Sequence, residues 1–248
     1  MPLPDWAVTA RTAGLVAGAC LAGQTVLFLL DETGLLAASP DYVDTPAGRA
    51  ADLATYYAAF FAYQHDILWN IAVRDTLGPI AYLALMVLAV STANVLGPRR
   101  VVSQLAVLFF VVGGLFAALS DLMYLSTTNY WRQTGWETTP TENMIAAGRS
   151  TEAINALTTY PQYAGFTVLA MGLLCIARAA RGGPVVGRPV GMLAVGLAIT
   201  LVGIVVTEVA QLDTVFPVLA LMAGVLLGPA VAILLGRDVA RAAGRPGW

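Results

Sequence analysis

The sequence predicts an all-α fold: a polytopic integral-membrane bundle of six transmembrane helices with two extracytoplasmic interfacial helices, in a single domain. Three observations predict it. Of 248 residues, 58% are hydrophobic and only 11% charged, where a soluble domain has roughly 45–50% and about 25%. The apolar residues gather into six runs close to the ~20 residues a membrane crossing needs. The scarce charge is also sorted by position along the chain, as described below.

The first run covers 13–30. It follows Met1-Pro2-Leu3-Pro4-Asp5-Trp6, with only Arg11 before it. That start lacks the basic stretch of a signal peptide, so a retained helix is expected. The chain from Gly34 to Gly48 is rich in turn formers (Ser39, Pro40, Asp41, Asp44, Pro46) and is expected to be irregular. From Ala51 to Arg74 the composition favours a helix. Its Tyr56, Tyr57, Phe60, Phe61, Tyr63 and Trp69 suit the membrane–water interface. Gly78-Pro79 is expected to kink the chain into the second span, 77–96.

A tight turn, Gly97-Pro98-Arg99-Arg100, leads to the third span, 101–124. A polar stretch from Thr127 to Thr141, holding Trp131 and Trp136, reads as a loop. Thr141-Glu142-Asn143 would cap a second outer helix, 142–160. Pro161 then marks the start of the fourth span, 161–180. The fifth and sixth spans are 190–208 and 215–235. Between them Asp213 reads as an N-cap, with Pro217 in the first turn. Spans one–two and three–four share an order of helix, acidic residue, loop, outer helix and proline, with Asp31 and Asp121 in corresponding places. This has the form of a weak internal repeat.

All 13 basic residues are arginine. One set of connections holds nine of them (Arg11, Arg99, Arg100, Arg178, Arg181, Arg188, Arg237, Arg241, Arg245) against Asp5 and Asp238. The opposite set holds Arg49, Arg74, Arg132 and Arg149 against 13 acids. Cytoplasmic loops carry the arginine excess. The expectation is a cell-membrane protein with both termini cytoplasmic, its inner arginines meeting membrane lipids. A net charge of −2 offers no field for nucleic acid.

Charge inside a span is costly, about 2.5–3.5 kcal/mol on insertion scales, and marks a pocket or pathway. Asp121 and Glu208 are the two clearest cases, each about one turn inside the outer boundary. They are the candidate acid and base. Gln24, deeper in span one, suits an interhelical hydrogen bond. Asp66, Asn70 and Arg74 follow one another at i, i+4 and i+8 on one helical face, with His65 and Trp69 alongside. Arg149 and Glu152 give the other outer helix a similar stripe with Asn155. Tyr124 and Gln211 complete the candidate binding set. The expected site is an outward-facing polar pocket walled by aromatics, with Arg74 close to Asp121 and Glu208.

Other chemistry lacks its residues. Cys20 and Cys175 both lie in apolar runs, so no disulfide framework or cysteine zinc site is expected. A single histidine, His65, excludes a bis-histidine haem and a His-rich metal site within the chain. No Gly-x-Ser-x-Gly elbow and no Gly-rich nucleotide loop is present. No metal and no cofactor is predicted.

The inner turn Val95-Leu96-Gly97-Pro98-Arg99-Arg100 carries a resemblance. So do Gly165-Phe166, Gly172-Leu173-Leu174 and the later Pro189-Val190-Gly191. With these motifs the chain resembles an uncharacterised family of bacterial six-span membrane proteins, over most of its length. The resemblance implies the six-span fold and a helical segment before span two. It implies no activity. In size and in its intramembrane carboxyls the chain also resembles integral-membrane terpene cyclases, without a shared motif.

Three function classes follow. One is a binder of a lipophilic small molecule or lipid in the outer pocket, or an accessory subunit. The second is a membrane enzyme doing acid–base chemistry on a lipid or isoprenoid through Asp121 and Glu208, which requires both carboxyls on one pocket without Arg74 pairing both. The third is a small transporter or proton pathway, which requires a polar route to the inner face.

Overall fold

The computed structural model describes residues 5–37, 40, 50–97, 100–133, 140–210, 212 and 214–244. The described residues form helices and no strands. They are α1 (Trp6–Glu32), α2 (Ala50–Asp66), α3 (Leu68–Leu96), α4 (Val101–Gln133), α5 (Thr141–Gly182), α6 (Arg188–Val209) and α7 (Phe216–Ala243). Six of them, all but α2, are long and apolar enough to cross a membrane. The chain is a multi-pass membrane protein, and its bare outer surface fits that reading. Leu83, Leu115, Leu119, Met192, Ile199 and Leu226 are exposed, an apolar perimeter that only lipid would cover without cost.

The six spans close into a ring. α1 packs between α7 and α3; α4 follows α3, α5 follows α4, and α6 joins α5 back to α7. In lipid, helix association relies on close packing rather than on hydrophobic burial, so small residues line the seams. Between α1 and α7 the contact is backbone against backbone: a Cβ at Gly236 would stand 2.6 Å from the Ala10 carbonyl oxygen. Between α4 and α5, a Cβ at Gly113 or at Gly165 would stand 2.8 Å from the other's carbonyl oxygen. α7 contains a π-helical segment, Met222–Leu227. There Gly224 meets the Thr25 side chain of α1 in space that a Cβ would need.

At one end of the ring, here called the arginine-rich end, Gly97 closes α3 with φ 106°, a conformation that glycine tolerates. There the Gly187 N–H, at the start of α6, donates to Asp238 Oδ2 of α7 at 2.9 Å. The opposite, acidic end carries α2 and the N-terminal part of α5.

Several boundaries differ from those the sequence predicts. The expected helix Ala51–Arg74 breaks at Ile67, whose φ −97° and ψ 9° separate α2 from α3. No glycine or proline marks the break; Ile67 is buried at the turn. α3 therefore starts at Leu68 rather than at 77, and Pro79 lies inside it. The expected loop from Thr127 is helical as far as Gln133. Thr127 and Thr128 donate their hydroxyls to the carbonyls of Met123 and Tyr124 four residues back, which satisfies these polar side chains within the helix. The predicted outer helix 142–160 and the fourth span are one helix, α5, running through Pro161. Span interiors tolerate proline where neighbours re-satisfy the freed backbone. Trp136 and Asp213 lie outside the described residues, as does most of the stretch from Gly34 to Gly48.

α2 stands on the acidic end. Its Tyr57 and Phe61 are buried with Met144 of α5 in a small apolar cluster separate from the bundle core. Tyr57 faces Gly148 of α5 at a distance that leaves no room for a side chain there.

Candidate functional site

The ring encloses a cavity of about 400 Å³, lined by residues from all six spans. Its two halves differ. Toward the arginine-rich end the wall is apolar, with Leu88 of α3, Phe110 of α4, Leu173 of α5, Leu197 of α6 and Leu235 of α7. Toward the acidic end it holds, among the described residues, five carboxyls, Asp31, Glu32, Asp75, Asp121 and Glu208, and a single cation, Arg74.

Arg74 organises this end. Its Nε donates to Asp75 Oδ1 at 2.8 Å and its Nη1 to Asp31 Oδ2 at 3.1 Å. The guanidinium also lies 5.9 Å from the Phe28 ring centre and 5.5 Å from that of Tyr124. A planar guanidinium offers a fork of donors at its edge and faces that stack on rings, which lysine lacks. Arg74 thus ties α1 to α3 and packs against α4 while being buried itself.

Asp121 is held differently. It is buried, and Gln24 Nε2 of α1 donates to its Oδ2 at 3.0 Å. That is the interhelical bond expected of Gln24. The bond occupies the space above Gly78 of α3: a Cβ there would lie 2.6 Å from Gln24 Nε2 and closer still to Asp121. Glu208 accepts a hydrogen bond from the Tyr163 hydroxyl at 2.9 Å. Ser120, beside Asp121, donates to the Thr158 carbonyl of α5 at 2.8 Å.

Asp121, Glu208, Arg74 and Tyr124 from the sequence-derived set therefore share one cavity. The rest of that set lies elsewhere. Asp66 and His65 end α2 and are exposed. Trp69 is 56% exposed on the outside of α3. The i, i+4, i+8 stripe does not hold across the break at Ile67, which removes Asp66 from the face of Asn70 and Arg74. Asn70 is buried and donates to the Leu27 carbonyl at 3.1 Å, a tie between α3 and α1. Arg149 and Glu152 are exposed on the part of α5 that carries α2. Gln211 lies outside the described residues.

Cavity groups that were not in the set include Asp31, Glu32, Asp75 and Tyr163. Asp31 reads in the sequence as a boundary residue, and Asp75 as lying before the second span. The available signal was their adjacency to Arg74 and to the end of span one.

α2 closes over the acidic end through two cavity residues. Tyr63 donates its hydroxyl to Asp31 Oδ1, and Gln64 Nε2 donates to the Tyr124 hydroxyl at 3.4 Å. Burial and the bond to the Asp31 carboxylate hold the Tyr63 phenol protonated well above its ordinary range. A hydrogen bond to a charged group contributes about 1.5–3 kcal/mol. Tyr63→Phe is therefore expected to loosen α2 by about that amount, seen as faster amide hydrogen exchange over residues 53–66. Unchanged protection would mean that the Tyr63–Asp31 bond does not hold α2.

The fold and the site define a class: a six-span helical bundle enclosing a cavity with one polar and one apolar end. No protein-family model, no curated protein sequence and no solved structure matches the chain.

Proposed function

We propose that this chain is a binding protein of the cell membrane that holds a lipophilic small molecule or lipid in the cavity, with its acidic end facing outward and both termini cytoplasmic. The observation that carries the reading is the cavity itself. Its volume falls within the ~300–1,000 Å³ of ligand pockets, and such pockets pair an apolar wall with a few convergent polar groups. The polar lining stops partway: Leu88, Phe110, Leu173 and Leu197 fill the half toward the arginine-rich end. This favours holding a molecule over conducting an ion through. The sorting of arginines along the chain supports the orientation.

A specific observation also favours a second reading, an acid–base enzyme acting on a lipid or isoprenoid. Asp121 and Glu208 line the same cavity, and among the described residues Arg74 forms ion pairs with Asp31 and Asp75 and with neither of these two. One experiment addresses both readings. The chain, purified in a mild detergent, is expected to retain a lipophilic molecule detectable by native mass spectrometry. Leu201→Trp, which puts an indole into the cavity wall, is expected to remove it with little change in thermal midpoint. A chain that never carries such a molecule, or a variant that retains it fully, would defeat the binding reading. A molecule released in chemically altered form would decide for the enzyme.

A further inference from the structure

We propose that the acidic end of the cavity receives a cationic head, a primary ammonium carried on an apolar chain. This rests on the binding reading above and assigns the ligand its charge. The first observation is the imbalance at this end, five carboxyls against Arg74. The second is that Arg74 is already shared between two of these carboxyls. Its Nε and Nη1 are bonded to Asp75 and Asp31, and the rings of Phe28 and Tyr124 lie close to its guanidinium. A phosphate or carboxylate head would meet a surplus of like charge, with Arg74, the one cation among the described lining residues, already paired with two carboxyls.

The third observation is independent of the charge count. Asp75 lines the cavity with its side chain 4% exposed, and its Oδ2 is buried with no hydrogen-bond partner among the described residues. Leaving a buried acceptor unsatisfied costs about 1–3 kcal/mol, and more where it is charged. Asp121 and Glu208 each accept a bond from a neutral donor, Gln24 or Tyr163, and neither is paired with a cation among the described residues.

An ammonium supplies three donors and no acceptor, which is what these oxygens lack. A bare metal ion fits less well, since among the described residues no three His, Cys, Asp or Glu side chains group as metal ligands do. The apolar half then takes the chain.

The test uses the full chain in lipid nanodiscs and three probes of equal chain length: dodecylamine, dodecanol and dodecanoate. Dodecylamine is expected to bind at least about tenfold more tightly than the other two, a difference of about 1.4 kcal/mol. Asp75→Asn is expected to erase that preference. Glu208→Gln, whose carboxyl accepts from Tyr163, is expected to reduce it, and serves if the Asp75 variant fails to fold. Leu201→Trp is expected to weaken binding of the amine. Equal or tighter binding of dodecanoate would overturn the cationic head while leaving the binding reading intact. So would amine binding that ignores Leu201→Trp, because the amine would then sit on the acidic surface. Failure of all three probes would overturn both readings.

Discussion

Arg74→Met is expected to cost about 3–5 kcal/mol, the range for removing one partner of a buried ion pair. The methionine keeps much of the stem but leaves Asp31 and Asp75 with no counter-charge among the described residues. The loss also removes the tie between α1 and α3 and the ring contacts to Phe28 and Tyr124. The readout is the midpoint of unfolding in a denaturing detergent titration, which is expected to fall sharply. Adding Asp75→Asn to the same chain is expected to recover part of the loss, because one of the two orphaned carboxylates is then gone. Arg74→Lys is expected to fall between, since an ammonium cannot reproduce the fork between two carboxylates on different helices. A wild-type midpoint for Arg74→Met would show that the two aspartates are neutral in the bundle.

The second large effect belongs to the seam between α4 and α5. Gly165→Ala is expected to destabilise by about 1–3 kcal/mol, as overpacking generally does. Its Cβ would stand 2.8 Å from the Gly113 carbonyl oxygen and 2.9 Å from the Ala117 backbone nitrogen. Backbone atoms cannot swing aside as side chains do, so the two helices must part. Gly165→Leu is expected to go further and abolish a monodisperse folded species in size-exclusion chromatography. The separation would reach the site, because Ser120–Thr158 bonds the same two helices close to Asp121. A Gly165→Leu chain as stable as the parent would mean that the seam can open without cost.

How much of this the sequence discloses depends on range. The six spans are legible because each is a local property, a run of apolar side chains. Asp121 and Glu208 are legible for the same reason, as carboxyls in apolar surroundings. Asp75 and Asp31 are not. They sit where charge is ordinary, at the ends of apolar runs, and only the pairing of Arg74 with Asp31, 43 residues apart, draws them inside. That ion pair also explains the misplaced start of the second span. Three polar residues, Arg74 to Thr76, read as interface, yet Arg74 bonds Asp75 Oδ1 and Thr76 bonds its own helix at Ala72.

The stripe of Asp66, Asn70 and Arg74, with His65 and Trp69 alongside, fails because it assumes one helical phase through Ile67. That break has no local marker, and α2 is bonded to Asp31 and Tyr124 of the ring on its near side. Proline misleads in the other direction at Pro161, where the helix continues.

That continuity has a mechanical consequence. At about 1.5 Å per residue, α5 with its 42 residues is roughly 60 Å long, about twice the ~30 Å hydrocarbon core of a bilayer. It is a mast, stepped in the bundle and standing clear of it at the acidic end, with α2 lashed to its upper half at Tyr57 and Phe61. Tyr163 and Thr158, which line the cavity, lie on the same unbroken spar. A sideways load on the exposed tip would travel along this helix toward the cavity wall, with Pro161, which lacks a helix N–H, as the one proline on the way.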